Sequence, residues 1–346
     1  MESNAQPVVA RESEASHGKR KAKGEKREAV DVSVCIANWN CRDLLRQCLA
    51  SLVEQPQGVR LEVIVVDNGS SDGAGDMVAR LFPQVVLVRC PTNLGFARAN
   101  NRAARRARGR YLFFLNNDTL VPPGTLRGLV DYAEDNPDVG LIGPRLLSGA
   151  GQVQVSYRMR PTVSTFLHRT ALLGCTGLFR RGYRRRRRQG FDPETTRPVE
   201  VLLGAALFMR REVFRGCGPW DEGYTFGGED LDLCYRIGRR HRVIYYPGVE
   251  VIHYGQTSTR QNPGFALPHI TNGFLRYLRQ TGCPRPALWA YKIVMTLDAP
   301  VQIVEKAAQY LWRRARGRRR DADKSLAVVR GRWHFLRSGL LALWRT

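Results

Sequence analysis

The chain has 346 residues, 43% of them hydrophobic, which suits one large α/β domain or such a domain with appendages. Its 8 cysteines include no CxxC pair and no Cys/His cluster with zinc spacing, and the chain is too long for a small disulfide scaffold, so free thiols in a reducing cytoplasm are expected. No apolar run follows Met1 and none is long enough to span a bilayer, so neither a signal peptide nor a spanning helix is expected, while a formal charge of +24 attracts polyanions without choosing among nucleic acid, acidic lipid and phosphorylated substrates.

Residues 1–30 are polar and charged, and a disordered tail is expected there. Val32 to Ala37 is a short apolar run rich in β-branched residues. Leu44, Leu45, Cys48, Leu49 and Leu52 follow at helical spacing. Leu61 to Val66 predicts a second strand, Met77, Val78 and Leu81 a helix, and Val85 to Val88 a third strand. Phe96 to Ala107 is Ala-rich and helical, and Tyr111 to Leu115 is a fourth strand. Continuous apolar strands alternating with amphipathic helices predict an α/β fold, with a parallel sheet covered on both faces.

Ligands of such sheets bind outside the carboxyl ends of the strands. Three polar clusters fall at those ends: Asn38-Trp39-Asn40, Asp67-Asn68-Gly69-Ser70 and Asn116-Asn117-Asp118. Any one of them could be a solvated turn; their convergence on one edge points to a site. Further on, Arg180 to Arg188 predicts a solvated basic loop, and Val201 to Met209 is again apolar. Glu229 to Arg240 reads as a helix with an acidic start and a basic end. Val243 to Tyr246 predicts a strand. Helices are expected beyond Pro268, with Pro300 interrupting any single one.

The ordered set VSVCIANWN, VVDNGSSDG, NLGFARANN, FLNNDT, LLGAALFMRR and FGGEDLDLCYR resembles family 2 of the glycosyltransferases, and most of all its bacterial rhamnosyltransferase-like branch. The resemblance covers about residues 31–280. It implies a GT-A fold: a Rossmann-like, mostly parallel sheet flanked by helices, here with a C-terminal helical extension over 281–346. It also implies an inverting, metal-dependent transfer of a sugar, possibly rhamnose, from a dTDP- or UDP-sugar to a hydroxyl acceptor. A glycan or lipid-linked glycan is the acceptor to expect, in the synthesis of a surface polysaccharide or glycolipid.

Site residues carry over position by position. Asp67 matches the aspartate that accepts the N3–H of uracil or thymine, a task for an acceptor-only carboxylate; a turn or helix cap is the alternative. Asn38, Asn40, Asn68, Asn93, Gly95 and Asn117 border the same donor nucleotide, Gly95 by admitting it close to the backbone. Asp118 matches the last carboxylate of the family's Asp-X-Asp motif, whose first position is Asn116 here. One carboxylate with phosphate oxygens and water suffices for a divalent cation, Mg²⁺ or Mn²⁺. His253 matches a histidine that completes the metal shell, against the alternative of a structural histidine. Asp230 matches the catalytic base and Glu229 a binder of acceptor hydroxyls. A carboxylate at a helix start is expected to stay charged because the helix dipole favours its ionised form. Gly204, Ala205, Trp220 and Asp221 match segments that border the acceptor, and Trp220 either stacks on a sugar or belongs to the core.

Residues 285–312 mix large apolar residues with Lys292, Asp298, Glu305 and Lys306, charges that are costly in hydrocarbon. They form either an interfacial segment on an anionic membrane, flanked by Arg313 to Arg320, or a helical subdomain packed on the core. The first choice implies a cytoplasmic protein held peripherally at the inner face of the cell membrane. The rival readings are a basic nucleic-acid-binding protein and a nucleotidyltransferase. No nucleic acid is expected as partner, because the basic runs lie outside the motif-rich core and no recognition signature accompanies them. A nucleotidyltransferase would carry a Gly-rich loop with a basic residue near the first strand, where this chain has Asn38-Trp39-Asn40-Cys41.

Overall fold

A computed structural model describes residues 29–174, 176–180, 183, 191–255 and 263–345. The expected tail (apart from Ala29 and Val30), most of the basic loop at 180–188, and Cys175 lie outside the described residues. The other seven cysteines are free thiols.

In chain order the first half alternates strand and helix: β1 (Val32–Asn38), α1 (Arg42–Val53), β2 (Leu61–Asn68), α2 (Ala74–Leu81), β3 (Val86–Cys90), α3 (Phe96–Arg106), β4 (Tyr111–Asn116), β5 (Thr119–Leu120), α4 (Thr125–Asp135) and β6 (Val139–Leu147). The middle holds shorter pieces: β7 (Tyr157–Arg158), α5 (Val163–Leu167), α6 (Ala171–Gly174), β8 (Arg197–Pro198), β9 (Val201–Leu202), β10 (Ala206–Arg210) and α7 (Arg211–Cys217). Then follow α8 (Glu229–Ile237), β11 (Arg242–His253), α9 (Pro263–Gln280), α10 (Arg285–Ala315), α11 (Arg319–His334) and, after a π-helical turn, α12 (Leu340–Arg345).

Among the described residues nine strands form one sheet in the order β3-β2-β1-β4-β10-β6-β11-β5, with β8 paired to β11. β1 to β4, β6 and β11 run one way; β10, β5 and β8 run the other. The strands are apolar throughout because both faces are covered. Val34, Ile36, Val63 and Val65 face one core with Leu45 and Leu49 of α1 and Leu126 and Leu129 of α4. Cys35, Ile64 and Val66 face the other, with Ala99 and Ala103 of α3 and Leu231 of α8. Small alanines let α3 lie close to the sheet.

Two expectations change here. The apolar run Val201 to Met209 is divided: β9 pairs with β7 in a small second sheet, and β10 enters the main sheet antiparallel to β4. Gly204 and Ala205 lie at the break. Pro300 does not end a helix either, since α10 runs through it. A proline removes one backbone hydrogen bond, but here it sits on the exposed side. Tyr291, Met295, Asp298 and Ala299, packed inward over the turns that lead up to it, hold the helix in register. Tyr291, Met295, Phe335 and Leu343 join the core that lies under α3 and α8, so the C-terminal helices pack on that side of the sheet.

Candidate active site

The carboxyl ends of β1, β2 and β4 are in register, Asn38 beside Asp67 and Ala37 beside Asn116. Side-chain amides tie this edge together. Asn117 donates to Asn38 Oδ1 at 2.7 Å, and Asn38 donates to Ser70 Oγ at 3.2 Å. Asn40, at φ +50°, accepts from the Ser71 N–H at 2.8 Å. Asn68 Oδ1 accepts from the Leu94 N–H and its amide donates to Asn93 Oδ1, both at 2.8 Å; Asn93 Oδ1 also accepts from the Gly95 N–H. The asparagines expected around the donor thus spend their amide groups on building the edge. At Gly95 a Cβ would stand 2.7 Å from the Thr225 carbonyl oxygen, so the glycine also admits the backbone of the loop before α8.

Asp67 stands out within this network. It is buried, and its Oδ1 has no hydrogen-bond partner among the described residues. A buried acceptor without a donor is costly, and a ligand N–H would relieve that cost.

Across the edge, Asp118 and His253 meet where β11 pairs with β5. Gln154 donates its amide to the His253 carbonyl at 2.6 Å, which turns its oxygen to His253 Nδ1 at 3.0 Å. That contact assigns the ring proton to Nδ1 and leaves a lone pair on Nε2. Nε2 is buried without a hydrogen-bond partner and lies 3.5 Å from Asp118 Oδ1. Two buried electron-pair donors turned on each other, one of them held by the Gln154 amide behind it, fit a cation. Among the described residues no group of three or more His, Cys, Asp or Glu forms a ligand set. A divalent ion would therefore take its remaining ligands from substrate oxygens and water.

The loop Phe226-Gly227-Gly228 delivers Glu229 and Asp230 to the same edge. Asn116 N–H donates to the Ala205 carbonyl at 2.9 Å, and a Cβ on Gly204 would stand 3.2 Å from Asp230 Cβ, so the missing side chain leaves room for this carboxylate. Asp230 Oδ1 accepts from the Leu231 N–H at 2.9 Å, and Oδ2 lies 3.8 Å from the Arg158 guanidinium. Its side chain is 17% exposed, open enough for a substrate to reach. Glu229 is buried with Oε2 unpartnered; burial first and the Asp230 charge second push its carboxyl up to about 8. The expectation that the helix dipole keeps a carboxylate here ionised fails for Glu229, because desolvation outweighs a partial charge at the helix end.

Two residues expected at the acceptor have other employment. Trp220 is 1% exposed and meets Phe96 and Phe114 edge-on at 5.4 and 5.2 Å, so it is core and offers no face to a sugar. Asp221 accepts from Arg276 at 2.8 and 3.0 Å and from Gln280 at 2.7 Å, which fastens α9 to the loop before α8. Burial opposes its charge, but the Gly223 N–H, Gln280 and Arg276 together hold its carboxyl below the usual range.

Sequence reasoning missed Gln154, Arg158 and Asn101. Asn101 pins the backbone of Trp220 from both sides, at 2.8 and 3.0 Å. NLGFARANN contained Asn101 without showing its partner. Gln154 and Arg158 lie in a segment with no local signal.

Comparison with known proteins bears on the family and the fold. The chain is 29% identical over 308 residues to an N-acetylglucosaminyl-diphospho-decaprenol L-rhamnosyltransferase of Mycobacterium tuberculosis (strain ATCC 25618 / H37Rv), covering 83% of this chain and 94% of that one. It is 29% identical over 238 residues to the O-antigen biosynthesis protein RfbC of Myxococcus xanthus, covering 66% of this chain and 18% of that longer protein. Among solved structures, that of GalNAc-T7 with UDP, GalNAc and Mn²⁺ superposes with a TM-score of 0.50 at 17% identity, over 65% of this chain and 43% of that one, a likeness of fold that makes the architecture GT-A. The model of the family described as Glycosyl transferase family 2 matches residues 33–216, through β1, the polar strand ends and β10, and the chain belongs to that family.

Proposed function

We propose that this glycosyltransferase moves a sugar, rhamnose in the first instance, from a dTDP- or UDP-sugar to a hydroxyl of a lipid-linked glycan, with inversion at the anomeric carbon. The observation that carries the reading is a set of buried acceptors without donors along one sheet edge: Asp67 Oδ1 at one end and His253 Nε2, facing Asp118, at the other. A nucleoside diphosphate would bring an imide N–H to the first, and a divalent cation accompanying it would engage the second.

Asp67 accepts the N3–H of the base, which uracil and thymine present alike. Asn38, Asn68, Asn93 and Asn117 hold the loops that shape the nucleotide cleft. Asp118 and His253 would hold the divalent cation. When bound, that cation neutralises the charge that gathers on the leaving diphosphate. Asp230 takes the proton of the acceptor hydroxyl as the oxygen bonds to the anomeric carbon. The carbon–oxygen bond to the diphosphate breaks with its electron pair leaving on the nucleotide. Glu229, neutral near pH 7 because its carboxyl is raised, can donate a hydrogen bond to an acceptor oxygen beside Asp230. Arg158 sets the resting place of the Asp230 carboxylate.

Likeness to the mycobacterial rhamnosyltransferase supports the rhamnosyl donor and the lipid-linked acceptor, and likeness to RfbC supports cell-surface polysaccharide synthesis. Such an acceptor would present its hydroxyl at a membrane surface, and we take the cytoplasmic face as the one where it meets the nucleotide sugar. The test is a transfer assay with dTDP-rhamnose, UDP-sugars and a prenyl-diphospho-N-acetylglucosamine acceptor, with the product linkage read by NMR. A product of configuration opposite to the donor, lost in Asp230→Asn, supports the reading. A product of retained configuration overturns it.

A further inference from the structure

We propose that the outer face of α10 lies in the headgroup–acyl boundary of an anionic membrane and fixes the height of the catalytic edge above it. A helix packed on a domain normally shows water a polar face. Here the exposed positions between Trp289 and Trp312 include a single charged residue, Glu305, which Lys306 and Gln309 engage at 3.0 and 2.7 Å. The rest are apolar. Trp289 (55% exposed), Ile293, Leu297, Val304 (70%), Leu311 and Trp312 form one stripe at helical spacing. At 1.5 Å per residue it is about 35 Å long. Asp298, one of the charges that speaks against hydrocarbon in the sequence, is 1% exposed and faces inward, where it accepts from the Leu172 N–H and Gln302.

The stripe is bounded by tryptophans and cations, as an interfacial segment requires. Lys292 stands over Trp289 and Trp344 at 5.6 and 5.8 Å, and exposed Leu341 and Trp344 of α12 widen the face at that end. At the other end Arg316 lies over Trp312 at 4.2 Å, followed by exposed Arg318 and Arg319. This charge complements an acidic lipid surface and would repel a second basic chain carrying +24. No helix among the described residues is long and apolar enough to cross a bilayer, so the helix lies in the plane.

α10 is also coupled to the site. Tyr291 donates to the Thr271 carbonyl on α9 at 2.9 Å, and α9 abuts Gly227 and Gly228 of the loop that opens α8. A docked α10 therefore positions Asp230 relative to the interface where a lipid-linked acceptor presents its hydroxyl. This last step rests on the proposed function; the docking itself does not.

The test is co-sedimentation of the full chain with vesicles of phosphatidylcholine alone or mixed with phosphatidylglycerol, beside the variant Ile293→Gln/Leu297→Gln/Val304→Gln. These side chains are exposed, so far-ultraviolet circular dichroism and calorimetric dTDP binding should match the parent. The parent should bind the acidic vesicles with a blue shift of tryptophan emission, and the variant should bind them about a hundredfold more weakly. Equal binding by parent and variant, or none by the parent, would overturn the proposal. So would a parent dimer that the variant dissolves while vesicle binding stays the same. Vesicle binding with no dTDP binding would sustain the docking face and refute the transferase reading instead.

Discussion

Gly273 should be replaceable by nothing larger, although it sits inside α9 and outside every recognisable motif. A Cβ built there would stand 1.9 Å from the Gly227 carbonyl oxygen, whereas ordinary contact begins at 3.4 Å, so Gly273→Ala must separate α9 from the loop by about 1.5 Å. Alanine would by itself favour the helix by about 1 kcal/mol, which works against any loss through propensity. The displaced loop carries Gly228 and then Glu229 and Asp230. Misplacing a reacting group by about 1 Å costs about a hundredfold in rate, close to 2.7 kcal/mol of barrier. Initial rates at saturating donor should therefore fall about a hundredfold, while dTDP affinity, which rests on Asp67 in β2, stays within about twofold. Parental turnover in a variant with unchanged dTDP affinity would refute the claim that α9 positions the base.

Asp230→Asn should keep donor binding and lose transfer by about two to four orders of magnitude, as removal of a general base does, measured in single turnover. Asp67→Ala should weaken UDP and dTDP alike by about 1.5–3 kcal/mol, the worth of a hydrogen bond to a charged group, read by calorimetry. Gln154→Ala frees the His253 ring and should raise the Mn²⁺ concentration needed for half-maximal dTDP binding by about 10–100-fold. The Glu229 carboxyl ordinarily titrates at 4.5 and here at about 8, so between those values the folded chain holds a proton that the unfolded chain has lost. Its contribution to stability must then decline as pH rises through that window, by at most about 1.4 kcal/mol per unit. Denaturant unfolding of Glu229→Gln across the window should lack that decline; equal slopes for parent and variant would contradict it.

The sheet was legible in the sequence because strands covered on both faces are apolar throughout, and Val32 to Ala37 or Tyr111 to Leu115 can be little else. The edge was legible because Asn38, Asp67 and Asn116 each follow such a run. What could not be read locally depends on partners far along the chain. Trp220 is core because Asn101, 119 residues earlier, grips its backbone. Asp221 is an anchor because Arg276 arrives 55 residues later. Gln154 has no pattern of its own and matters only once β11 brings His253 beside it. α4 and β6 did carry a signal, the helical spacing of Leu126, Leu129 and Ala133 and the run at Leu141-Ile142, but no polar motif drew attention to them. Pro300 and Asp298 mislead for a shared reason: the cost of each depends on which side of α10 it occupies, and only packing decides that.

The most direct test of the central claim is calorimetric titration of UDP and dTDP, with and without Mn²⁺, into the parent chain and into Asp118→Ala. The account predicts binding that Mn²⁺ strengthens in the parent and that loses its metal dependence in the variant. Binding in the parent that Mn²⁺ leaves unchanged, or no binding of either nucleotide by folded protein, would contradict it.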